Sequence, residues 1–275
     1  MKLTDLIKIG KETISVLYPE KEAGEMVFAY LEEAIGTKRH THIIEPDYEV
    51  APGKLEAILK DFNRMAAGEP LQYIIGKAWF YGRQFHVTPD VLIPRPETEI
   101  LCNTVISRCG PVKTPRVLDM CTGSGCIAWT LALELQGSKV AAVDISEGAL
   151  SPNFIKADVL KAPELSCEEH EKFDIIVSNP PYVMDREKAL MRTNVLEHEP
   201  HLALFVSDQD PLVFYRAVAD WAVKLLKKGG YGIVEINEAL GEQTSEVFRA
   251  AGFAEVNVLK DLTERDRFVE FTRIS

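Results

Sequence analysis

At 275 residues, with 46% hydrophobic and 27% charged residues, the chain has the composition of an ordinary globular protein, long enough for one large domain or two smaller ones. Its formal net charge of −11 opposes a phosphate backbone, which argues against nucleic acid as the main partner. Five cysteines without a CxxC pair or metal-like His/Cys spacing argue for reduced thiols in a cytoplasmic protein without structural zinc, and no run approaches the roughly 18 apolar residues of a membrane span.

Helical spacing dominates the first quarter. Leu3, Leu6, Ile7 and Ile14, then Met26, Val27, Tyr30 and Leu31, then Leu55, Ile58, Leu59, Phe62 and Met65 recur at intervals of three and four, with Gly36 and Gly68 placed as helix C-caps. This predicts a small all-helical domain over residues 1–75, carrying 9 basic and 13 acidic residues and so lacking a nucleic-acid arm. The alternating aromatic segment from Trp79 to Val87, with Gly82 near its middle, predicts a β-hairpin, and residues 76–95 are assigned to a linker. The prolines of "PDVLIPRPETE" forbid regular structure until Glu97, where a helix to about Cys109 begins.

From Arg116 onward strands alternate with helices: strands over 117–120, 140–145, 154–157, 173–178, 231–236, 254–259 and 267–272, with helices over 126–135, 211–226 and 240–251. Continuous apolar strands separated by amphipathic helices predict a doubly wound α/β domain over 96–275, its sheet covered on both faces. One interval breaks the pattern. Only eight residues, "SEGALSPN", separate Ile145 from Phe154, where a parallel crossover needs about a dozen. Either that side closes differently or residues are missing from the sequence near Leu150 to Asn153; the regularity of the flanking strands favours omission, and with it a chain break there.

The turn in "VLDMCTGSGCIAWTLA" joins a strand to a helix through Gly123 and Gly125, which allow the backbone close to a ligand, while the following helix N-terminus favours a polar or anionic group. It is not a P-loop and lacks the full GxGxxG spacing, so alone it is also an ordinary connection. Asp144 ends the next strand about 20 residues on, placed to accept from both hydroxyls of a ribose, although an aspartate there also suits a helix N-cap. Asp158, ending the third strand, can accept from an adenine amino group.

The fourth strand ends in Asn179-Pro180-Pro181-Tyr182, at the carboxyl edge where such sheets bind ligands. The Asn179 side-chain carbonyl and the Pro180 carbonyl, stiffened by Pro181, are two convergent acceptors able to grip an NH2 group. Nitrogen on an sp2 carbon is a poor nucleophile because its lone pair is delocalised; drawing both hydrogens toward acceptors favours pyramidal nitrogen. Tyr182 can stack on the flat amide or base. The motif suits alkylation of a planar amino group; the plainer alternative is a proline-rich loop after a strand.

With "DMCTGSGCIA" upstream, NPPY resembles the class I S-adenosylmethionine-dependent methyltransferases that act on planar amino nitrogen. Within them, "GEPLQYIIG", "FYGRQFHVTPDVLIPRPETE", "EHEPHLALF" and "KDLTERDRFVEF" resemble the PrmC/HemK family, protein-(glutamine-N5) methyltransferases of bacterial peptide chain release factors. The resemblance implies a helical domain that engages the release factor, a hairpin linker, and a Rossmann-like catalytic domain of seven strands with the last antiparallel. It implies the glutamine of the factor's Gly-Gly-Gln motif as acceptor. It places Cys121, Thr122, Gly123, Ser124 and Gly125 beside the methionine and ribose of S-adenosylmethionine, Asp144 at the ribose, Asp158 and Val159 around the adenine, and Asn179 at both cofactor and substrate. Asn179, Pro180, Pro181 and Tyr182 would hold the substrate glutamine, with Asn179, Pro180 and Tyr182 catalytic; the product would be S-adenosylhomocysteine. Two departures stand out: the family usually has glycine at Cys121, and "SEGALSPN" replaces a helix and loop after the ribose-binding acid. A ribosomal-protein glutamine, adenine N6 of nucleic acid, and a non-enzymatic binding role are the other readings of these motifs. The acidic balance opposes the nucleic-acid reading, and a binding module would not need an intact NPPY.

Overall fold

The computed structural model describes residues 1–109, 114–149, 154–163 and 169–274. Contacts divide the chain into two compact units, one of Met1–Lys77 with Met191–His198, the other of Ala78–Leu190 with Glu199–Ser275.

The first unit is helical, with α1 (Leu3–Ile14), α2 (Glu20–Ile35), α3 (Thr41–Ile44), α4 (Pro52–Ala66) and α5 (Leu71–Ile75). The apolar stripes read from the sequence meet in one core: Leu6, Ile14, Val27, Leu31, Ile58, Phe62 and Met65 are all buried. Gly10 lets α1 approach closely, since a Cβ there would lie 2.8 Å from the Phe62 ring and 2.9 Å from Val27. Gly36 ends α2 in the left-handed region at φ 74°, its N–H returning to the Glu32 carbonyl. Residues 191–198, distant in sequence, join this unit. No hydrophobic period announces them, because a stretch this short cannot show one.

The second unit opens with the expected hairpin, β1 (Lys77–Phe80) and β2 (Arg83–His86), turning through Tyr81 at φ 51° and Gly82 at φ 70°. Helix α6 (Thr98–Cys109) follows. Then come β3 (Arg116–Met120), α7 (Cys126–Glu134), β4 (Lys139–Asp144), β5 (Ile155–Lys156), β6 (Phe173–Ser178) and β7 (Val183–Met184). After α8 (Thr193–His198), which belongs to the first unit, α9 (His201–Leu204), β8 (Phe205–Val206), α10 (Val213–Leu225), β9 (Leu226–Glu235), α11 (Gly241–Ala250), β10 (Ala254–Lys260) and β11 (Asp266–Thr272) complete the chain. The main sheet has the order β10-β11-β9-β6-β3-β4-β5. β11 runs antiparallel to both neighbours, while β3, β4, β5, β6 and β9 are mutually parallel.

Adjacent strand residues serve opposite faces. Val117, Ile175, Ile233 and Phe268 pack with Leu101, Val105, Ile127 and Leu131 of α6 and α7, and Phe80 and Phe85 of the hairpin lie in that same core. Leu118, Ile176, Val234 and Val269 pack on the other face with Tyr215, Val218, Trp221 and Phe248 of α10 and α11. This two-faced burial is why the strands read as unbroken apolar runs. β9 begins at Leu226, earlier than the sequence suggests: Lys227 to Gly230 break the apolar pattern, yet Leu226 already pairs with Phe173 across an irregularity in register. β5 lies parallel to β4, Val143 opposite Ile155; the expected break at Leu150 to Asn153 lies outside the described residues.

Candidate active site

Register brings the site together. Met120 lies opposite Val143 on one side and Ser178 on the other, and Ser178 lies opposite Val234. The residues that follow, Cys121, Asp144, Asn179 and Glu235, therefore share one level at the carboxyl edge of the sheet. From β3 the chain adds β4 and β5 on one side and then returns to place β6 on the other, so β3 and β6 flank the topological switch point where open α/β sheets bind ligands. A cavity of about 360 Å³ opens at that level, of a size that accommodates a cofactor-sized ligand.

The turn after β3 forms its floor. Cys121, Thr122, Gly123 and Ser124 line the cavity, and Gly125 does not. Cys121 adopts φ 60°, a left-handed conformation that costs a side chain roughly 1 kcal/mol or more, which explains why glycine suits this position. Gly125, at φ 77°, is required for a different reason than ligand approach: a Cβ there would stand 2.6 Å from the Phe154 ring. Gly123 faces open space, with nothing within 4 Å of an added Cβ. Beneath the turn the fully buried Asp119 ties it to α7: its Oδ2 accepts from the Thr122 hydroxyl at 2.6 Å and from the Ala128 N–H at 3.1 Å. Among the described residues Oδ1 has no partner, and burial raises the Asp119 pKa to about 7. Burial, with the Asp144 carboxylate second, also pushes the Cys121 thiol up and keeps it neutral.

Asp144 accepts from the Gly123 N–H at 2.8 Å through Oδ2 and from the Ser146 N–H at 2.9 Å through Oδ1. Both oxygens are thereby held in place at the cavity wall, each with lone-pair capacity left for a hydroxyl. Asp158 and Val159 line the same cavity, Asp158 Oδ1 accepting from the Leu160 N–H at 3.0 Å.

Asn179 and Pro181 also line the cavity; Pro180 is buried, and neither it nor Tyr182 is among the lining residues. Asn179 Nδ2 donates to the Thr98 hydroxyl at 3.2 Å. That hydroxyl donates to Glu235 Oε2 at 2.7 Å, and the Tyr182 hydroxyl donates to Glu235 Oε1 at 2.9 Å. Burial raises the Glu235 pKa against those two hydrogen bonds and the Arg267 charge. Burial, then Glu235, drives the Tyr182 phenol far up, so it stays protonated. The Tyr182 carbonyl accepts from Asn237 Nδ2 at 3.2 Å, and the Ser178 hydroxyl donates to the Met120 carbonyl at 2.8 Å, so the segment is anchored on both sides. The Tyr182 hydroxyl is thus committed to the protein.

Two further stretches that carry the resemblance meet at this cavity. Arg95 pairs with the buried Glu199 at 2.7 Å, and Glu199 also accepts from the Ile93 N–H at 3.3 Å. Pro94 and Arg95 on one side and Pro200 and Leu202 on the other line the wall. Thr98, Asp119, Glu199 and Glu235 escape a reading by sequence alone. The available signal was a charged residue one short of the end of a buried strand for Asp119 and at the end of one for Glu235, and an acid beside a proline for Glu199.

The strand order, the antiparallel β11 and a cavity at the switch point define a class I S-adenosylmethionine-dependent methyltransferase. Residues 11–76 match the PrmC N-terminal domain and residues 96–204 the methyltransferase small domain. The release factor glutamine methyltransferase of Flavobacterium psychrophilum is 36% identical over 277 residues, 94% of this chain and 95% of that one. That of Bacteroides thetaiotaomicron is 37% identical over 275 residues, 96% and 97% of the two chains. The chain belongs to the release factor glutamine methyltransferase family. Among solved structures, the hMettl16 catalytic domain in complex with a 3′UTR hairpin shares the fold, at TM-score 0.52 and 16% identity over 70% of this chain and 76% of that one.

S-adenosylmethionine, the family's cofactor, fits the donor set present. Gly123 presents bare backbone to open space, and Asp144 presents two fixed carboxylate oxygens to the same cavity. Among the described residues, no helix is long and apolar enough to cross a membrane.

Proposed function

We propose that this protein methylates the side-chain amide nitrogen of the glutamine in the Gly-Gly-Gln motif of peptide chain release factors. The observation that carries the reading is Asn179 at the cavity wall, its NH2 turned to Thr98 and its carbonyl oxygen therefore left for a substrate NH2. The cysteine-glycine turn and Asp144 hold the cofactor at the methionine and ribose end, and Asp158 and Val159 flank the adenine. When bound, S-adenosylmethionine supplies a methyl group made electrophilic by its sulfonium.

Asn179 Oδ1 and the Pro180 carbonyl accept one hydrogen each from the glutamine NH2. Amide resonance weakens as the nitrogen becomes pyramidal, and its lone pair points at the methyl carbon. Asn179 Oδ1 and the Pro180 carbonyl would hold the two N–H protons, one of which would leave to solvent water as the methylated nitrogen becomes positive. Tyr182 closes the far side of the segment, its ring held in place through Glu235 rather than free to follow the substrate. Residues 1–75 recognise the protein substrate, 76–95 link, and 96–275 catalyse; the separate apolar core of the helical unit supports treating it as a domain of its own.

The test is competition for label. The protein with methyl-labelled S-adenosylmethionine is offered a release factor, a ribosomal protein or DNA. Label in the release factor alone is the expected result; label in ribosomal protein or DNA in preference to it would replace this reading.

A further inference from the structure

An asparagine amide is nearly symmetric in shape, and only one of its two orientations presents an acceptor to a substrate NH2. The reverse orientation sets donor against donor. What fixes the choice here is proton counting around Thr98. A threonine hydroxyl has one proton, and with Glu235 ionised and accepting at both oxygens the 2.7 Å contact to Oε2 consumes it. The second carboxylate oxygen, Oε1, takes the Tyr182 proton at 2.9 Å. Toward Asn179, Thr98 therefore offers lone pairs only, and the group that meets them at 3.2 Å is the NH2 of the amide. Thr98, at the cavity wall, is 2% exposed and Glu235 1%, so the hydrogen bond between them is shielded from bulk water.

We propose that Thr98, held by Glu235, is a positioning residue that fixes the Asn179 amide with its carbonyl oxygen toward the substrate. The inference rests on the glutamine-methylating reading above, with Thr98 acting through Asn179 and not on the reacting atoms. One carboxylate thereby orders both ends of the NPPY segment, the amide through Thr98 and the ring through Tyr182. The partners are 81 and 137 residues from Thr98 in sequence and meet because α6 starts beside the ends of β6 and β9.

Thr98→Val keeps the shape and removes the hydroxyl; Thr98→Ser keeps the hydroxyl. Thr98→Val is expected to lower kcat on a release factor by on the order of tenfold or more, with S-adenosylmethionine affinity within about twofold of wild type. Thr98→Ser is expected to recover most of the loss. In the protein without ligands, the Asn179 side-chain NH2, read by 15N NMR, is expected to exchange slowly with water in wild type and Thr98→Ser and rapidly in Thr98→Val. Should Thr98→Val fail to fold, Thr98→Ala against Thr98→Ser makes the same comparison. Unchanged turnover in Thr98→Val, no recovery in Thr98→Ser, a matching loss of cofactor affinity, or unaltered NH2 exchange would each overturn the proposal. If the wild-type protein labels no release factor, the proposed function fails, while the NH2 exchange still decides the role of Thr98.

Discussion

In the proposed reaction, removing the Asn179 side-chain carbonyl leaves the Pro180 carbonyl to hold the substrate NH2 alone. Loss of one preorganised acceptor acting on developing charge costs on the order of 3 kcal/mol. Asn179→Ala is therefore expected to slow single-turnover methyl transfer about a hundredfold while a cofactor titration shows most of the affinity kept, since the turn and Asp144 are intact. Transfer within a few-fold of wild type would make Asn179 a strand terminator only. Asp119 gives a prediction with a definite sign. Its folded pKa of about 7 lies above the roughly 3.9 of an unfolded aspartate, so the folded state binds the proton more tightly. Its contribution to stability is most favourable below pH ~4 and is lost progressively as pH rises to about 7, by up to ~4 kcal/mol. Asp119→Asn keeps an acceptor for Thr122 and Ala128 and removes the ionisation, so its melting temperature should gain on wild type as pH rises from 4 to 7. Parallel curves for the two proteins would refute this. Asp144 and Asn179 were legible in the sequence because each ends a recognisable strand. Thr98 and Glu235 were not, because their meaning lies in a hydrogen-bond chain created by strand register.

In the proposed reaction the turn between β3 and α7 places the cofactor; Asp119 ties it to α7 and the Phe154 ring packs against Gly125. Gly125→Ala combines a left-handed conformation with a Cβ 2.6 Å from the Phe154 ring. Strain and overpacking together are expected to destabilise the protein by roughly 2 kcal/mol or more. Adding Phe154→Ala should relieve the steric part and leave the conformational part, so thermal denaturation of the pair is expected to show recovery relative to Gly125→Ala that is incomplete. Additive losses would place the ring elsewhere. The sequence revealed the turn and the strand that becomes β5, but not the Phe154 contact with Gly125, which only tertiary packing creates. The hairpin and long helices were legible because period-2 and 3.6 patterns persist in them. Both β7 and β8 span two residues and show no period.

In the whole molecule, apolar periodicity was sufficient to separate a helical region from an α/β region, but not to assign residues 191–198 to the first unit, since contact and not pattern puts them there. The proposed division of labour predicts that deleting residues 1–75 lowers methylation of an intact release factor at least tenfold while cofactor affinity, measured by calorimetry on folded protein, changes only a few-fold. Equal methylation before and after deletion would remove the recognition role. In the proposed reaction one planar amide nitrogen, gripped by Asn179 and Pro180, receives the methyl group. Tandem mass spectrometry of an intact release factor after reaction with the undeleted protein should find a single methyl on the side-chain nitrogen of the Gly-Gly-Gln glutamine; a methyl on any other residue, with that glutamine unmodified, would rule the reaction out.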